Sequence, residues 1–353
     1  MTRLWKFGLG LVVLVLLLSV QAATAKTPGT VKQTRSPVTT LAMDGSRVAY
    51  ASGGKVYVWN MSTGTSTLVQ GKYSKHTAEV AIAGRRVAWI TRYAVGNTQQ
   101  TSESLFTGTL GTRGRLLASG RHYLKDPESQ AWYGRWIAGA VGSGNTLAVS
   151  TWWSKGDGTC SAQRLNLISS GGLRVIATGP GAIMAASADA GHFAVLRSDE
   201  AWPQYGPTPA VTVGIYSTSG KLLRGITPSS ADEVALSGKQ VVVLTETRTL
   251  EVYDWTTGKL LHTWRVAVST PRLKPGHLAV SGQLAVYSVG TARRLHVIRL
   301  TTGKDVVLVT ARGSGYWSHD AAMDAHGLVY TVNYRDHGKL VFVPTAKLLA
   351  RVS

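Results

Sequence analysis

The stretch Leu278-Ala279-Val280-Ser281-Gly282 decides the fold, because seven versions of it occur along the chain. Each version is a short alternating run that ends in a turn and is followed by an apolar strand. The other six versions occupy residues 41–45, 80–84, 130–134, 186–190, 234–238 and 321–325. The last residues of consecutive versions are 39, 50, 56, 48, 44 and 43 positions apart. The chain is therefore a set of repeats built from short strands.

Between these turns the strand signals continue, as in Val241-Val242-Val243-Leu244, and helical patterns of useful length are absent. A repeat of about 40 to 50 residues made of short strands is typical of a β-propeller, with one blade per repeat. We therefore predict an all-β, seven-bladed β-propeller with four-stranded antiparallel blades around a central channel. The spacing is least regular through residues 134–190, where the blade count is least certain. Residues 30–39 either add a strand to the last blade or lie outside it.

A column of small residues supports this repeat. The residue three positions before the end of each version is small in all seven repeats: Ala42, Ala81, Ala131, Ser187, Ala235, Ala279 and Ala322. The innermost strands of a propeller crowd around its axis, where larger side chains would collide. The column is expected to line the channel.

The outer turns share a second chemistry, seen in Tyr253-Asp254-Trp255-Thr256-Thr257-Gly258-Lys259 and Leu300-Thr301-Thr302-Gly303-Lys304. Glycine preceded by Asp, Asn, Ser or Thr suits a tight hairpin. With the strands before them, these turns resemble the general TolB-like, WD-repeat and quinoprotein-like propeller group over roughly residues 36 to 353. The resemblance implies the fold and a ligand on the face where loops surround the channel mouth. It carries over no catalytic residue.

The first segment is typical of an export signal. Arg3 and Lys6 precede an apolar run from residue 7 to 20, and Ala23-Thr24-Ala25 offers a small-residue cleavage site. We expect residues 1–25 to be a secretory signal peptide, 26–35 a short leader and 36–353 one propeller domain. The protein is then extracellular or in the cell envelope, with no transmembrane segment after cleavage. The alternative is an uncleaved membrane anchor, although the run is shorter than the roughly 20 residues that a spanning helix needs.

The charge balance indicates the class of partner. The chain has 38 Lys and Arg against 18 Asp and Glu, a net charge of +20. Such a charge attracts anionic partners. No nucleic-acid-binding module and no G-x-S-x-G elbow occurs, so we expect neither a specific nucleic-acid target nor a serine hydrolase. The single cysteine, Cys160, allows no internal disulfide and is an inert buried thiol, a reactive thiol or a partner in an intermolecular disulfide. We expect a monomer.

Basic and aromatic residues interleave in the loops that a propeller places on its top face, where the second strand leads to the third and the fourth leads to the next blade. Aromatic planes stack on sugar rings, and basic groups attract anions. These residues predict a non-catalytic binding or scaffold module for an anionic glycan, another cell-surface polymer or a protein partner. Alternatively, they only cap the blades and keep the protein soluble. The candidate ligand-binding residues are Lys75, His76, Arg121, Tyr123, Trp152, Trp153, Trp202, Tyr205, Tyr316 and Trp317.

A polar ring near the channel mouth offers a second hypothesis. Three carboxylates and two histidines stand near the small column: Glu79, Glu233, Asp320, His277 and His319. Such groups could serve as general acid and base in an extracellular polysaccharide hydrolase or lyase. An oxygen-rich site would favour Ca²⁺ among metals, and we expect no other cofactor. The same side chains could instead simply hydrate the channel.

Overall fold

A computed structural model describes residues 31–69, 77–95, 100–126, 131–155, 160–179, 182–198, 210–266, 275–289, 294–310 and 320–353. Structural statements below concern these residues. The predicted signal peptide lies outside them, as does half of the predicted leader, residues 26–30. The described part contains 28 strands and one short C-terminal helix. The prediction of an all-β protein is confirmed.

The strands form six antiparallel sheets, five with four strands and one with eight. The first contains β2 (Val38–Asp44), β3 (Arg47–Ser52), β4 (Lys55–Asn60) and β5 (Ser66–Leu68). The eight-stranded sheet contains β6 (Thr77–Ala83), β7 (Arg86–Ala94), β8 (Gln100–Thr109), β9 (Arg115–Asp126), β10 (Ala131–Ser143), β11 (Thr146–Lys155), β12 (Cys160–Ser169) and β13 (Gly172–Gly179).

The remaining four sheets follow in chain order. They contain β14 (Ala182–Asp189), β15 (His192–Ser198), β16 (Val211–Ser217) and β17 (Leu222–Ile226); β18 (Glu233–Ser237), β19 (Gln240–Leu244), β20 (Thr249–Asp254) and β21 (Lys259–Arg265); β22 (Pro275–Ser281), β23 (Leu284–Val289), β24 (Arg294–Arg299) and β25 (Asp305–Thr310); and β26 (Ala321–Asp324), β27 (Gly327–Asn333) and β28 (Gly338–Pro344) with β1 (Val31–Thr34). Helix α1 (Thr345–Arg351) follows β28. No helix in the described ranges is long and apolar enough to cross a membrane.

The repeated turns connect the first and second strands of each sheet. Gly45, Gly84, Gly238 and Gly282 begin these turns with φ near +60°, a conformation that glycine adopts without the penalty paid by other residues. The first strands also contact one another in a closed order: β2 with β6, β6 with β10, β10 with β14, β14 with β18, β18 with β22, β22 with β26, and β26 with β2. The sheets therefore surround an axis.

The third repeat lies ten residues from its predicted position. The sequence placed its turn at Gly134, whereas the turn between β10 and β11 is at Gly144, with φ +60°. Gly134 instead lies near the start of the 13-residue strand β10 and pairs with His122 of β9. The Ala131 to Gly134 segment imitates the repeat because it has the same small residue and glycine. The extra length of β9 and β10 lets them pair, which joins two four-stranded sets into one sheet.

The small column packs between sheets rather than lining the channel. Ala81 lies in a buried cluster with Ile90 and Ile137, and Ala235 lies in another with Tyr287. Adjacent sheets approach most closely at their inner strands, so little room is left there for a side chain. The axial cavity, about 430 Å³, is lined by residues one or two positions before the turns, including Met43, Asp44, Ala188, Asp189, Leu236 and Ser237.

The N-terminal strand β1 closes the ring of sheets. The sequence had left open whether residues 30–39 join the last sheet, and the pairing of β1 shows that residues 31–34 do. Strand β1 pairs with β28, with Val31 opposite Val341, so the last sheet combines strands from both ends of the chain. The folded part thus begins at or before residue 31, earlier than the boundary expected at residue 36. Asn333 of β27 adds a second link, because its side chain bonds to both backbone groups of Val38.

Candidate functional site

The structure describes four of the ten predicted ligand-binding residues. Arg121 and Tyr123 lie on β9, and Trp152 and Trp153 lie on β11. The other six lie outside the described residues: Lys75, His76, Trp202, Tyr205, Tyr316 and Trp317. The described part of the candidate site lies on the long strands β9, β10 and β11 of the eight-stranded sheet.

Strand pairing brings one set of aromatic residues onto one face of this sheet. Tyr123 of β9 is opposite Tyr133 of β10, and Arg135 is opposite Trp153 of β11. Directly opposite residues share a face, and alternate residues along one strand return to it. Tyr123, Tyr133 and Trp153 therefore form one line across three strands, which we call the aromatic row.

The aromatic row is exposed and has cationic neighbours. The ring centroids of Tyr123 and Tyr133 are 5.4 Å apart, and those of Tyr133 and Trp153 are 5.6 Å apart with an edge-on geometry. Tyr123 is 39% exposed and Trp153 is 38% exposed. Arg121 and Lys155 are also exposed and lie on the same face. This surface offers flat rings and positive charges together.

Trp152 belongs to the opposite face, so the predicted pair Trp152 and Trp153 is divided between two surfaces. The Trp152 ring stacks on Trp136 at 4.8 Å between centroids, and His122 stacks on the same indole at 3.3 Å. Neighbouring residues of a strand point to opposite sides. Trp152 therefore supports the sheet from behind, while Trp153 is available to a ligand.

An ion pair between the partly exposed Arg92 and the buried Glu103 supports the face that carries Trp152, and no motif in the sequence indicated it. Arg92 Nε donates to Glu103 Oε1 at 2.6 Å, and the Ile137 N–H donates to Glu103 Oε2 at 2.5 Å. Burial raises the pKa of Glu103. Burial, with the nearby Arg92 charge, lowers the pKa of His122 to about 4, so the ring is neutral at pH 7. Only the opposed register of β7 and β8 shows that Arg92 and Glu103 meet.

The three predicted channel carboxylates bind backbone amides of neighbouring inner strands. Glu79 Oε1 accepts from the Ala140 N–H at 3.1 Å. Glu233 Oε2 accepts from the Leu278 N–H at 2.5 Å, and Asp320 Oδ2 accepts from the Leu41 N–H at 2.7 Å. Each carboxylate thereby connects one first strand to the next around the ring. His277 contributes backbone to β22, and His319 lies outside the described residues.

A second ring of such bonds was not anticipated. Asp44, Asp189, Ser237 and Asp324, each the last residue before its turn, accept from the N–H of the turn glycine in the following sheet: Gly84, Gly238, Gly282 and Gly45 respectively. The signal was available, because Asp or Ser precedes the turn in these repeats. Polar residues of the repeat thus hold neighbouring inner strands together.

Glu79 has the environment most favourable to proton exchange near neutral pH. Burial raises its pKa from 4.5 to about 7, while the Ala140 N–H and the Arg92 charge oppose the shift. Asp320 and Glu103 add smaller repulsive contributions. In the described part of the chain, no group of three or more His, Cys, Asp or Glu residues has the geometry of a metal site.

Replacing Glu79 with glutamine is expected to change the pH dependence of stability. The unfolded carboxyl ionises near pH 4.5 and the folded one near pH 7, so Glu79 lowers the free energy of unfolding as pH rises through this window. The whole effect is about 3.5 kcal/mol, at about 1.4 kcal/mol for each unit between these two pKa values. Urea unfolding of both proteins from pH 4 to 8 measures it.

The informative quantity is the difference between the Glu79→Gln variant and the wild type in how the free energy of unfolding changes with pH. His122 has a depressed pKa and gives the opposite slope, raising stability with pH between its folded pKa of about 4 and its ordinary pKa of 6.5. Glutamine retains an acceptor for the Ala140 N–H. Identical slopes in variant and wild type would contradict the assigned titration.

Comparisons with known proteins establish the fold. No protein-family model matches the chain, and no curated protein matches it. Among solved structures, the WD40 β-propeller domain of Doa1 is similar, with a TM-score of 0.56, 13% identity, and coverage of 91% of this chain and 98% of that one. The β-propeller domain of Myceliophteria thermophila Cps50 (Swd1) gives a TM-score of 0.57 at 14% identity, covering 88% of this chain and 99% of that one.

A computationally designed protein, Ika8, is also similar, with a TM-score of 0.50, 16% identity, and coverage of 88% of this chain and 98% of that one. At such low identities the likeness concerns the fold and not the function. The antiparallel sheets, the cyclic order of their inner strands and these neighbours agree. The chain therefore has the β-propeller fold that its repeats indicated.

Proposed function

We propose that this protein is a secreted, non-catalytic binding or scaffold module whose ligand is an anionic glycan or related cell-surface polymer. A propeller offers a rigid support on which exposed residues can recognise a partner. The net charge of +20 favours an anionic partner. The export signal at residues 1–25 supports a location outside the cell or in its envelope.

The scaffold in this proposal has seven blades. Seven first strands follow one another around the axis. The eight-stranded sheet carries two of the repeated turns, at Gly84 and Gly144, so it corresponds to two blades joined through β9 and β10. Counting it as two gives one blade for each of the seven repeats in the sequence.

The aromatic row is the observation that carries the proposal. Three rings are aligned across adjacent strands, and Trp153 presents an exposed indole on the face that also carries cationic Lys155 and Arg121. Stacking on sugar rings needs flat apolar surfaces in a row, and acidic substituents need nearby positive charge. The face opposite holds buried side chains that fix the strands, such as Glu103 and His122. Rigid support of this kind limits the entropy lost on binding.

The Trp153→Ala variant is expected to bind acidic glycans about tenfold more weakly, from loss of one stacking contact. Its folding stability should change by less than about 1 kcal/mol, because the side chain is partly exposed. Retention of the purified mature domain on neutral and acidic glycans at two salt concentrations measures affinity and its electrostatic part. Binding should weaken at high salt.

Two matched controls accompany this experiment. Lys259→Gln removes an exposed cation on β21, away from the row, and Tyr334→Ala removes a partly exposed ring in the loop between β27 and β28. Both should leave retention unchanged. Retention that is equal in wild type and Trp153→Ala would refute a role for the row, and absence of glycan retention with capture of a protein partner would favour the docking alternative.

Product analysis of the same samples addresses the hydrolase or lyase alternative. Glu79 has a pKa of about 7, which suits a general acid. A structural role is favoured by the hydrogen bonds of these carboxylates. One oxygen of each of Glu79, Glu233 and Asp320 accepts from a backbone N–H. Release of glycan fragments by the wild type but not by the Glu79→Gln variant would support catalysis.

A further inference from the structure

A cleft of about 640 Å³ opens at the other end of the strands from the aromatic row, where turns join first to second strands and third to fourth strands. It spans the two halves of the eight-stranded sheet and reaches Thr218, in the turn after β16. Four arginines line it: Arg86, Arg113, Arg115 and Arg174. None of its lining residues is Asp or Glu. Neither the repeats nor the loop chemistry of the sequence predicted this site.

Three of these arginines donate hydrogen bonds to neutral carbonyls, and these bonds do not compensate their positive charge. Arg86 Nη2 donates to the carbonyl of Ile168, and Arg115 Nη2 donates to the carbonyls of Ser169, at 3.3 Å, and Ser170. A guanidinium has five N–H donors, and these contacts occupy only part of that capacity. The cleft therefore concentrates positive charge with donors to spare.

Arg86 and Arg115 lie close enough for their positive charges to repel each other. Burial and the neighbouring Arg115 charge both lower the pKa of Arg86. Arg174 donates from Nη2 to the carbonyl of Thr218 at 3.2 Å, which holds a third cation at the same cleft. An anion placed among these groups would relieve the repulsion and gain charge-assisted hydrogen bonds.

We propose that this cleft binds a ligand carrying phosphate or sulfate groups. Planar guanidinium groups match the oxygens of such groups with paired N–H donors, and arginine suits this recognition better than lysine. Serine and threonine hydroxyls also line the cleft, including Thr109, Thr112 and Ser169. The volume lies in the range of small-molecule sites and exceeds what one inorganic ion fills. The ligand is therefore an organic phosphate, an organic sulfate or a segment of a polymer bearing them.

The competing explanation is that these arginines only connect neighbouring sheets, and the chain provides a control for it. Arg224 of β17 donates from Nη2 to the Thr256 carbonyl at 2.7 Å, in the turn between β20 and β21. Arg115 and Arg174 make the same kind of bond to carbonyls in or beside later turns of the chain. Arg224 does not line the cleft. Arg224→Gln should thus reproduce any structural cost of losing such an arginine without touching the proposed site.

The test uses calorimetric titration with inorganic phosphate, inorganic sulfate and polyphosphate at constant ionic strength. Wild type should bind at least one of them saturably, and Arg115→Gln should weaken that binding about tenfold or more, from loss of a charge-assisted hydrogen bond. Arg113→Gln should also weaken binding while stability stays unchanged, because Arg113 is exposed. Arg224→Gln should bind as wild type does. Preference between phosphate and sulfate identifies the group recognised.

Three outcomes would overturn the proposal: no saturable binding of any of the three probes at millimolar concentration, equal loss in Arg224→Gln and Arg115→Gln, or full binding in Arg115→Gln. Trp153→Ala should retain phosphate binding, because the aromatic row and the cleft lie at opposite ends of the strands. Failure of this cleft and failure of the glycan surface are therefore distinguishable.

Discussion

Glu103→Ala is expected to destabilise the protein by about 3 kcal/mol, from an orphaned buried amide and a broken ion pair. Glu103 is 1% exposed and accepts from both Arg92 Nε and the Ile137 N–H. Alanine leaves the Ile137 N–H buried without this acceptor. Because these contacts join β8 to β7 and β10 behind the aromatic row, glycan retention should fall with stability. Urea unfolding gives the free-energy change.

Glu103→Gln is the matched variant for this prediction. The amide oxygen still accepts from the Ile137 N–H, and only the charge that faces Arg92 is lost. Arg92 is 41% exposed at its side chain, so water can solvate it, and we expect a loss of about 1 kcal/mol. A Glu103→Ala variant within about 0.5 kcal/mol of wild type would contradict the structural role assigned to this carboxylate.

Asn333→Ala is expected to cost about 3 kcal/mol, because it removes two buried hydrogen bonds at the closure of the ring. Asn333 Oδ1 accepts from the Val38 N–H at 2.8 Å, and Nδ2 donates to the Val38 carbonyl at 2.7 Å. These residues are 295 positions apart, so the bonds hold the last sheet against the first. The backbone groups of Val38 would be left without these partners. The measurement is the free energy of unfolding in urea.

Asn166→Ala provides the comparison for the closure effect. Asn166 is also buried, and its Nδ2 donates within one sheet to the Val149 carbonyl at 3.2 Å, to Thr151 Oγ1 at 3.1 Å and to the Arg164 carbonyl at 3.3 Å. Because β11 and β12 are already paired by their backbones, this loss should be about 1 kcal/mol. A larger cost for Asn166→Ala than for Asn333→Ala would show that ring closure does not depend on Asn333.

The local chemistry of the turns made most of the fold predictable. A glycine at positive φ, as at Gly84 and Gly282, is set by the residues next to it, so the repeats could be found without tertiary information. The third repeat was misplaced because Gly134 also has a positive φ, of +123°. That glycine is required for a different reason: a Cβ there would collide with the carbonyl oxygen of Arg121 on β9. Local sequence does not distinguish these two demands.

The candidate sites were predictable only in part. Trp152 and Trp153 were expected in one top-face loop, but both lie on β11, where strand alternation puts them on opposite faces. The partners of Glu79 and Asp320 are backbone amides of other sheets, and a sequence pattern carries no information on which amide a carboxylate meets. The arginine cleft draws its residues from turns of separate strands, so it has no local motif.

The sequence by itself determined the all-β class, the repeat and its small and polar positions, because turn geometry and strand alternation depend on neighbouring residues. Only the tertiary structure decided which strands pair across repeats, which end of the chain closes the ring, and which side chains share a face or a cleft. Those features depend on register and on contacts between residues far apart in the chain, such as Val38 and Asn333. The strand propensity of single residues carries almost no information on register or on such long-range contacts.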